Sequence, residues 1–248
     1  VSPYERDAID RCKETTGFRT DGDAELVARF DVLLDKDGNL EKYRVIDKND
    51  IPDGTVWYAY IDSPKCSDRY NGYTYVNTLD KKSIDRFIEI TYETYKKWVG
   101  EDFDGCVPAI FTDEPQFPLK GTFRYPTSLS DVTLPWTDDI EETFVKAYGD
   151  SLVNHIPELF WELPDGVISL TRYHYHDHIS ERFANAFPDN CGKWCSENGL
   201  LLTGHMMREP SLTSQCGSIG EAMRAYRGFH IPGIDILCNK YELTTAKQ

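Results

Sequence analysis

Two short apolar runs of the sequence end in carboxylates, and paired carboxylates are the groups that acid–base catalysis uses. Residues 107–112 (VPAIFT) lead into Asp113 and Glu114, and residues 200–207 (LLLTGHMM) lead towards Glu209. In glycoside cleavage one carboxyl group protonates the leaving oxygen, while an ionised one deprotonates water or attacks the sugar. Neighbouring strand residues point to opposite faces, so if Glu114 faces a cleft, Asp113 would fasten an adjacent loop; Asp113 is also a candidate substrate-binding residue. The alternative is a helix cap or a surface turn.

Further polar residues lie near the ends of predicted strands. His205 and Arg208 accompany Glu209, and Asp235 is a lone acid in the apolar run 231–237 (IPGIDIL). Asp235 either binds sugar hydroxyls or satisfies a buried backbone group or arginine. A surface ion pair between Arg208 and Glu209 is the alternative to a role in a cleft.

Two other patterns resemble metal sites but favour other interpretations. His174 and His178 share a helix face, yet Tyr175 stands where a zinc peptidase motif needs Glu, so an exposed polar face is the preferred interpretation. Residues 35–39 mimic the start of a calcium-binding loop, but Ile46 occupies its twelfth position, so this segment is predicted to be a hairpin turn. A metal-dependent hydrolase built on the two histidines remains a distant alternative.

Aromatic side chains near the predicted strand ends suit a sugar site, since sugar rings stack on aromatic faces. The candidates are Trp57, Tyr60 and Phe117. Core packing is the competing explanation for each of them.

The elements that must position these residues alternate between strand and helix. Strands are predicted at 27–34, 41–47, 55–61, 107–112, 200–207 and 231–237, and helices at 1–20, 79–100, 139–148, 151–163, 169–187, 189–198 and 219–226. This order predicts an α/β fold with parallel strands and crossovers, in which function lies at the carboxyl ends of the strands. The expected division is a helix and β-hairpin in 1–54, followed by a catalytic portion in 55–248.

Charge and composition narrow the partners. The formal net charge is −15, which argues against a protein that binds nucleic acid or a membrane surface, because both need a basic face. No run approaches the roughly 18 apolar residues of a membrane span. Seven cysteines, an odd number, favour reduced thiols, and the spacing of Cys191 and Cys195 suits one helix face better than a zinc site.

Several segments together resemble the bacterial α-L-rhamnosidases of glycoside hydrolase family 106 and their relatives. The resemblance covers roughly residues 55–248 and rests on the order and spacing of 76–79 (VNTL), 87–88 (FI), 92–97 (YETYKK), 99–100 (VG), 110–115 (IFTDEP), 194–199 (WCSENG), Gly204-His205 with Glu209, and 232–237 (PGIDIL).

The resemblance implies a (β/α)₈ TIM-type barrel that releases a terminal sugar, L-rhamnose, from plant polysaccharide, with a calcium ion assisting. Carried over by position, Glu114 would be the general acid and Glu209 the base or a substrate ligand. His205 and Asp235 would line the substrate pocket. The resemblance also favours a periplasmic or secreted bacterial protein.

The number of strands leaves an alternative open. Four barrel-like strands are predicted (55–61, 107–112, 200–207 and 233–237) where a complete barrel has eight. A non-catalytic carbohydrate-binding portion, or an incomplete barrel of the same lineage, is therefore the second hypothesis.

Overall fold

A computed structural model describes residues 1–5, 24–62, 64 and 66–235 of the chain. The described part combines helices and strands in a mixed α/β fold. The strands are β1 (Glu25–Leu34), β2 (Leu40–Val45), β3 (Thr55–Ile61), β4 (Ala109–Asp113), β5 (Leu201–His205) and β6 (Ile231–Pro232). The helices are α1 (Lys81–Val99), α2 (Ile140–Tyr148), α3 (Leu170–Ala186), α4 (Pro188–Glu197), α5 (Leu212–Cys216) and α6 (Ala222–Tyr226). Short 3₁₀ helices span Asp68–Tyr70, Gly100–Asp102, Val153–Leu159 and Pro164–Gly166. The helix predicted at 1–20 falls mostly outside the described residues.

Contacts divide the chain into two compact units. The first contains residues 1–75 and 120–175, and the second contains residues 76–119 and those from 176 onward. This grouping differs from the expected division at residue 54, because the first unit also takes in β3 and residues 120–175.

The first unit is built on an antiparallel sheet in the order β2-β1-β3. The predicted hairpin between β1 and β2 is confirmed, and Asp35 closes its turn by accepting the N–H groups of Asp37 and Asn39, both at 2.8 Å. Gly38 has φ +87°, a conformation that side chains with a Cβ rarely adopt. The residues that mimic a calcium loop therefore form the turn.

Strand β3 is the main departure from the predicted topology. It was expected as a barrel strand with parallel neighbours, whereas it pairs antiparallel with β1. A dense apolar run shows that a strand is covered on both faces, but it does not say which strand lies beside it.

A buried aspartate holds the loop between β2 and β3. Asp31 accepts the N–H groups of Asp53 and Gly54 at 2.9 and 2.8 Å, and Arg44 lies 3.2 Å from the same carboxylate. Burial would raise the pKa of Asp31, but these donors outweigh burial and leave that pKa below its usual value.

The second unit is built on a parallel sheet in the order β4-β5-β6. Parallel pairing with a long crossover was predicted for the first two of these strands and is confirmed. Of the last predicted strand, residues 236–237 lie outside the described residues, and within the described part residues 231–232 pair with β5.

Helix α1 packs on α4 in the second unit. Asp80 caps α1 by accepting the N–H groups of Lys82 and Ser83, and the buried face of the helix carries Ile84, Ile88 and Tyr92. The ring of Tyr92 lies 5.1 Å from that of Trp194 on α4. The predicted amphipathic helix is confirmed, and it packs on α4, which in turn packs on β5. Among the described residues, none of the helices combines the length and apolar character that a membrane crossing requires.

Candidate functional site

The parallel register brings the predicted site residues of β4 and β5 to the same level. Asp113 is paired with His205, and the N–H of Glu114 donates to the carbonyl of His205 at 3.1 Å. The N–H of Gly233 donates to the carbonyl of Gly204 at 2.7 Å, which brings the segment after β6 beside them. The carboxyl ends of three adjacent strands thus form one edge, as predicted for an α/β fold.

Two non-glycine residues at this edge have left-handed backbone conformations. Glu114 has φ +50° and Arg208 has φ +57°. Each costs roughly 1–2 kcal/mol relative to an ordinary conformation, and such costs concentrate at functional sites. Because Glu114 follows β4 in a left-handed conformation, its side chain does not continue the alternating pattern of the strand.

Glycine is required in β5 because the strands approach closely. Gly204 has φ +131°, and a Cβ built there would lie 1.9 Å from the carbonyl oxygen of Thr112. The absence of a side chain allows β4 and β5 to pair directly below the edge.

Three ligand-type side chains converge at this edge: Glu114, His205 and Asp235. One carboxylate oxygen from each acid and one ring nitrogen of His205 all lie within 4.8 Å of one another. Asp235 is exposed, Glu114 is half-buried and His205 is only 8% exposed. The side chains of Glu114 and Asp235 have no hydrogen bond or ion pair with any described residue, so both are available to a ligand.

His205 is held from one side only. Its Nε2 lies 3.0 Å from Oδ1 of Asp113, and the ring of Phe111 is 5.8 Å away. Its Nδ1 is buried and has no hydrogen-bond partner among the described residues. Asp113 therefore orients an imidazole, a different role from the loop fastening expected of it.

Glu209 has a different environment from the one expected of a base. It is 4% exposed, and its Oε1 accepts the N–H of Met206 at 2.7 Å and the hydroxyl of Tyr226. Burial, together with the hydrogen bond to Glu209, raises the pKa of Tyr226 well above its usual value. These contacts tie Glu209 to the segment that follows β5 and to α6, and Arg208 is exposed.

The aromatic candidates lie in packed environments. Phe117 is fully buried with its ring 5.7 Å from that of Phe183, and Trp57 is 2% exposed with Trp161 5.0 Å away. Both belong to cores and present no free face to a sugar ring. Tyr60 is half-buried, is stacked near Tyr58 at 6.2 Å and, like Trp57, belongs to the first unit.

Among the described residues, the cluster that could hold a metal ion does not include His174 or His178. The ring of His174 stacks on that of Tyr148 at 4.2 Å. The group that can hold a metal contains His205 instead. Sequence reasoning missed the role of Tyr226 as the partner of Glu209, since a tyrosine in a short amphipathic segment carries no local sign of a distant acid.

No protein-family model matches the sequence, and no curated protein matches it either. Among solved structures, the chain is similar to the rhamnosidase from Novosphingobium sp. PP1Y. The sequences are 16% identical, the TM-score is 0.44, and the match covers 63% of this chain and 14% of that one. The chain thus spans a small part of the protein it matches.

The calcium ion implied by the family resemblance is a poor fit to this cluster. Calcium takes six to eight oxygen ligands, whereas Glu114, His205 and Asp235 offer two carboxylates and an imidazole nitrogen. An orphaned buried nitrogen suits a borderline metal that accepts imidazole better than it suits calcium.

Proposed function

We propose that the chain is a catalytic portion of a glycoside hydrolase that removes a terminal sugar, L-rhamnose, from a plant-type polysaccharide. The observation that carries the proposal is the convergence of the carboxylates of Glu114 and Asp235 on His205 at the carboxyl edge of β4, β5 and β6. The sequence resemblance to α-L-rhamnosidases supplies the sugar.

The two carboxyl groups provide the minimum machinery for cleaving a glycosidic bond. Glu114 is half-buried, has no hydrogen bond or ion pair with a described residue, and is proposed as the proton donor to the leaving oxygen. Asp235 is exposed and is proposed as the second carboxylate, which attacks or stabilises the cationic sugar, because one of its oxygens lies within 4.8 Å of one of Glu114, nearer the spacing of a nucleophile than that of a base that activates water. Glu209 is replaced in this role because its carboxylate is already engaged by Met206 and Tyr226.

The parallel sheet supports a broader architectural proposal. Parallel strands joined by helical crossovers, with polar residues at the carboxyl edge, are typical of (β/α)₈ barrels. We assign β4, β5 and β6 to such a barrel, and β1, β2 and β3 to a separate antiparallel element beside it in sequence.

The experiment is a screen of aryl rhamnosides, galactosides, arabinosides and fucosides with the wild type and Glu114→Gln. The variant should lower kcat/KM for the cleaved substrate by about 100- to 10,000-fold, the usual contribution of a general acid. The loss should be smaller for a dinitrophenyl glycoside than for a methylumbelliferyl glycoside, because the better leaving group needs less protonation.

Glu101→Gln is the matched control, since Glu101 is an exposed glutamate of the same unit and its substitution should leave turnover unchanged. Equal cleavage by the wild type and Glu114→Gln would refute the proton-donor role. Sugar binding without turnover of any glycoside would refute the hydrolase proposal and favour a carbohydrate-binding function.

A further inference from the structure

The cluster at the carboxyl edge has a second property that hydrolysis does not explain. His205 is nine-tenths buried, one ring nitrogen lies near Asp113, and Nδ1 has no partner among the described residues. Buried polar atoms are almost always satisfied, so an unpaired nitrogen on an imidazole whose ring lies beside two free carboxylates points to a missing ligand.

The chemistry of the three side chains identifies the class of that ligand. A metal-binding histidine commonly gives one ring N–H to a carboxylate, which orients the ring and leaves the other nitrogen for the metal. Asp113 supplies such a carboxylate, at 3.0 Å from Nε2. Zinc accepts carboxylate oxygen and imidazole nitrogen, so two carboxylates and one imidazole can supply three ligands and leave a fourth position for water or substrate.

We propose that Glu114, His205 and Asp235 bind a divalent transition-metal ion of the zinc class, in preference to calcium. The ligand atoms are within 4.8 Å of one another, and tetrahedral coordination would bring them to about 3.4 Å. Rotation of the side chains of the half-buried Glu114 and the exposed Asp235 can bring the ligand atoms this close, because neither side chain is bonded to a described residue.

The metal and the proton-donor role use the same carboxyl group. A carboxylate bound to a cation carries no proton, so the metal-loaded state is incompatible with acid catalysis by Glu114. The metal is therefore an inhibitor of the proposed hydrolysis, and this one consequence rests on the proposed function. Binding itself does not depend on it.

The test measures metal binding without substrate. Exposed Cys66 and Cys106 are first replaced by serine so that surface thiols do not compete. Titration calorimetry with Zn²⁺ and Ca²⁺ should show a single saturable Zn²⁺ site and weaker Ca²⁺ binding. The absorption spectrum of bound Co²⁺ should show nitrogen and oxygen ligands without thiolate bands.

Three variants locate the site. His205→Ala and Asp235→Asn should each weaken Zn²⁺ binding by about tenfold or more, whereas His174→Ala should leave it unchanged. Asp235→Asn changes an exposed side chain and keeps the test decisive if His205→Ala fails to fold. Equal binding by the wild type and Asp235→Asn, no saturable Zn²⁺ site, or tighter binding of Ca²⁺ would each overturn the proposal.

A final measurement separates this proposal from the proposed function. If the wild type hydrolyses a rhamnoside, saturating Zn²⁺ should lower its rate by about tenfold or more, and an unchanged rate would remove Glu114 from the ligand set. If no glycoside is cleaved while Zn²⁺ binding depends on Asp235, the metal site stands and the hydrolase proposal fails.

Discussion

Glu209 and Tyr226 show how a buried carboxylate is held without a cation. The acid accepts a backbone N–H and a phenol hydroxyl, and its own carbonyl accepts the amide of Gln215 at 2.6 Å. A hydrogen bond to a charged group contributes about 1.5–3 kcal/mol, and losing a donor to a buried carboxylate has a comparable cost. Glu209, four residues after the end of β5, is thus held by contacts with three other residues.

Tyr226→Phe should lower the free energy of unfolding by about 1–3 kcal/mol, because Glu209 then keeps a buried charge with one donor fewer. Urea denaturation checks this value. In a double-mutant cycle with Glu209→Gln, the coupling energy should exceed about 0.5 kcal/mol.

Tyr95→Phe serves as the comparison, since Tyr95 is 59% exposed on α1 of the same unit and should change stability by less than about 0.5 kcal/mol. A Tyr226→Phe variant as stable as this control would mean that the phenol does not support Glu209.

At the scale of elements, the close pairing of β4 and β5 determines where Glu114 and His205 lie. The pairing depends on Gly204, because any Cβ at that position meets the carbonyl of Thr112. The strand ends can only be level with each other if this glycine is kept.

Gly204→Ala should destabilise the protein by about 3 kcal/mol or more, since it combines a forbidden contact with a positive φ. Gly149→Ala isolates the effect of the positive φ, because Gly149 has φ +78° and no atom lies near the added methyl group. Its free energy of unfolding should fall by only about 1 kcal/mol. Thermal and urea unfolding of both variants measure the difference. Similar losses for the two would show that the strands separate easily at this point.

At the scale of the whole molecule, both units bury groups that titrate at alkaline pH. Burial raises the pKa of Tyr43 and Tyr175 in the first unit and of Tyr92 and Tyr226 in the second, all to above the usual value for tyrosine. Burial also raises the pKa of Cys191 to about 12 and of Cys195 to about 11.

These shifts predict an alkaline limit to stability. A group whose pKa is raised in the folded state contributes its full stabilisation below the pKa that it has in the unfolded state. This stabilisation is lost as pH rises above that value. The free energy of unfolding should therefore begin to fall near about pH 8.5, where unfolded thiols ionise, and more steeply above about pH 10, where unfolded tyrosines do.

Urea denaturation at a series of pH values measures this decline, and tyrosinate absorbance assigns it. The folded chain should show fewer ionised tyrosines near about pH 10.5 than the urea-unfolded chain, in which all 15 are accessible. Identical titration curves for the two states would contradict the burial of these phenols.

Sequence reasoning succeeded where the determining contacts are local. The cap of α1 at Asp80 and its apolar stripe lie within a few residues of each other, as do the turn residues between β1 and β2. The position of Glu114 directly after β4 is equally local, and its role as a site residue stays a prediction.

Tertiary structure decided the partners of these elements. The apolar pattern of β3 is compatible with either sheet, and only its pairing with β1 places it in the antiparallel one. Trp57 and Phe117 are aromatic residues of the kind on which sugar rings stack, but residues distant in sequence cover them.

The same distinction separates the two predicted acids. Both Glu114 and Glu209 follow apolar runs. The hydroxyl of Tyr226 donates to the carboxylate of Glu209, whereas the carboxylate of Glu114 lies near His205 and Asp235 with no such donor. The sequence by itself determined most of the elements, because they follow from short-range periodicity, and from residue identity it predicts a type of chemistry. Which carboxylates are free to react depends on neighbours distant in sequence, such as Tyr226 at 17 residues from Glu209, and only the folded chain brings those together.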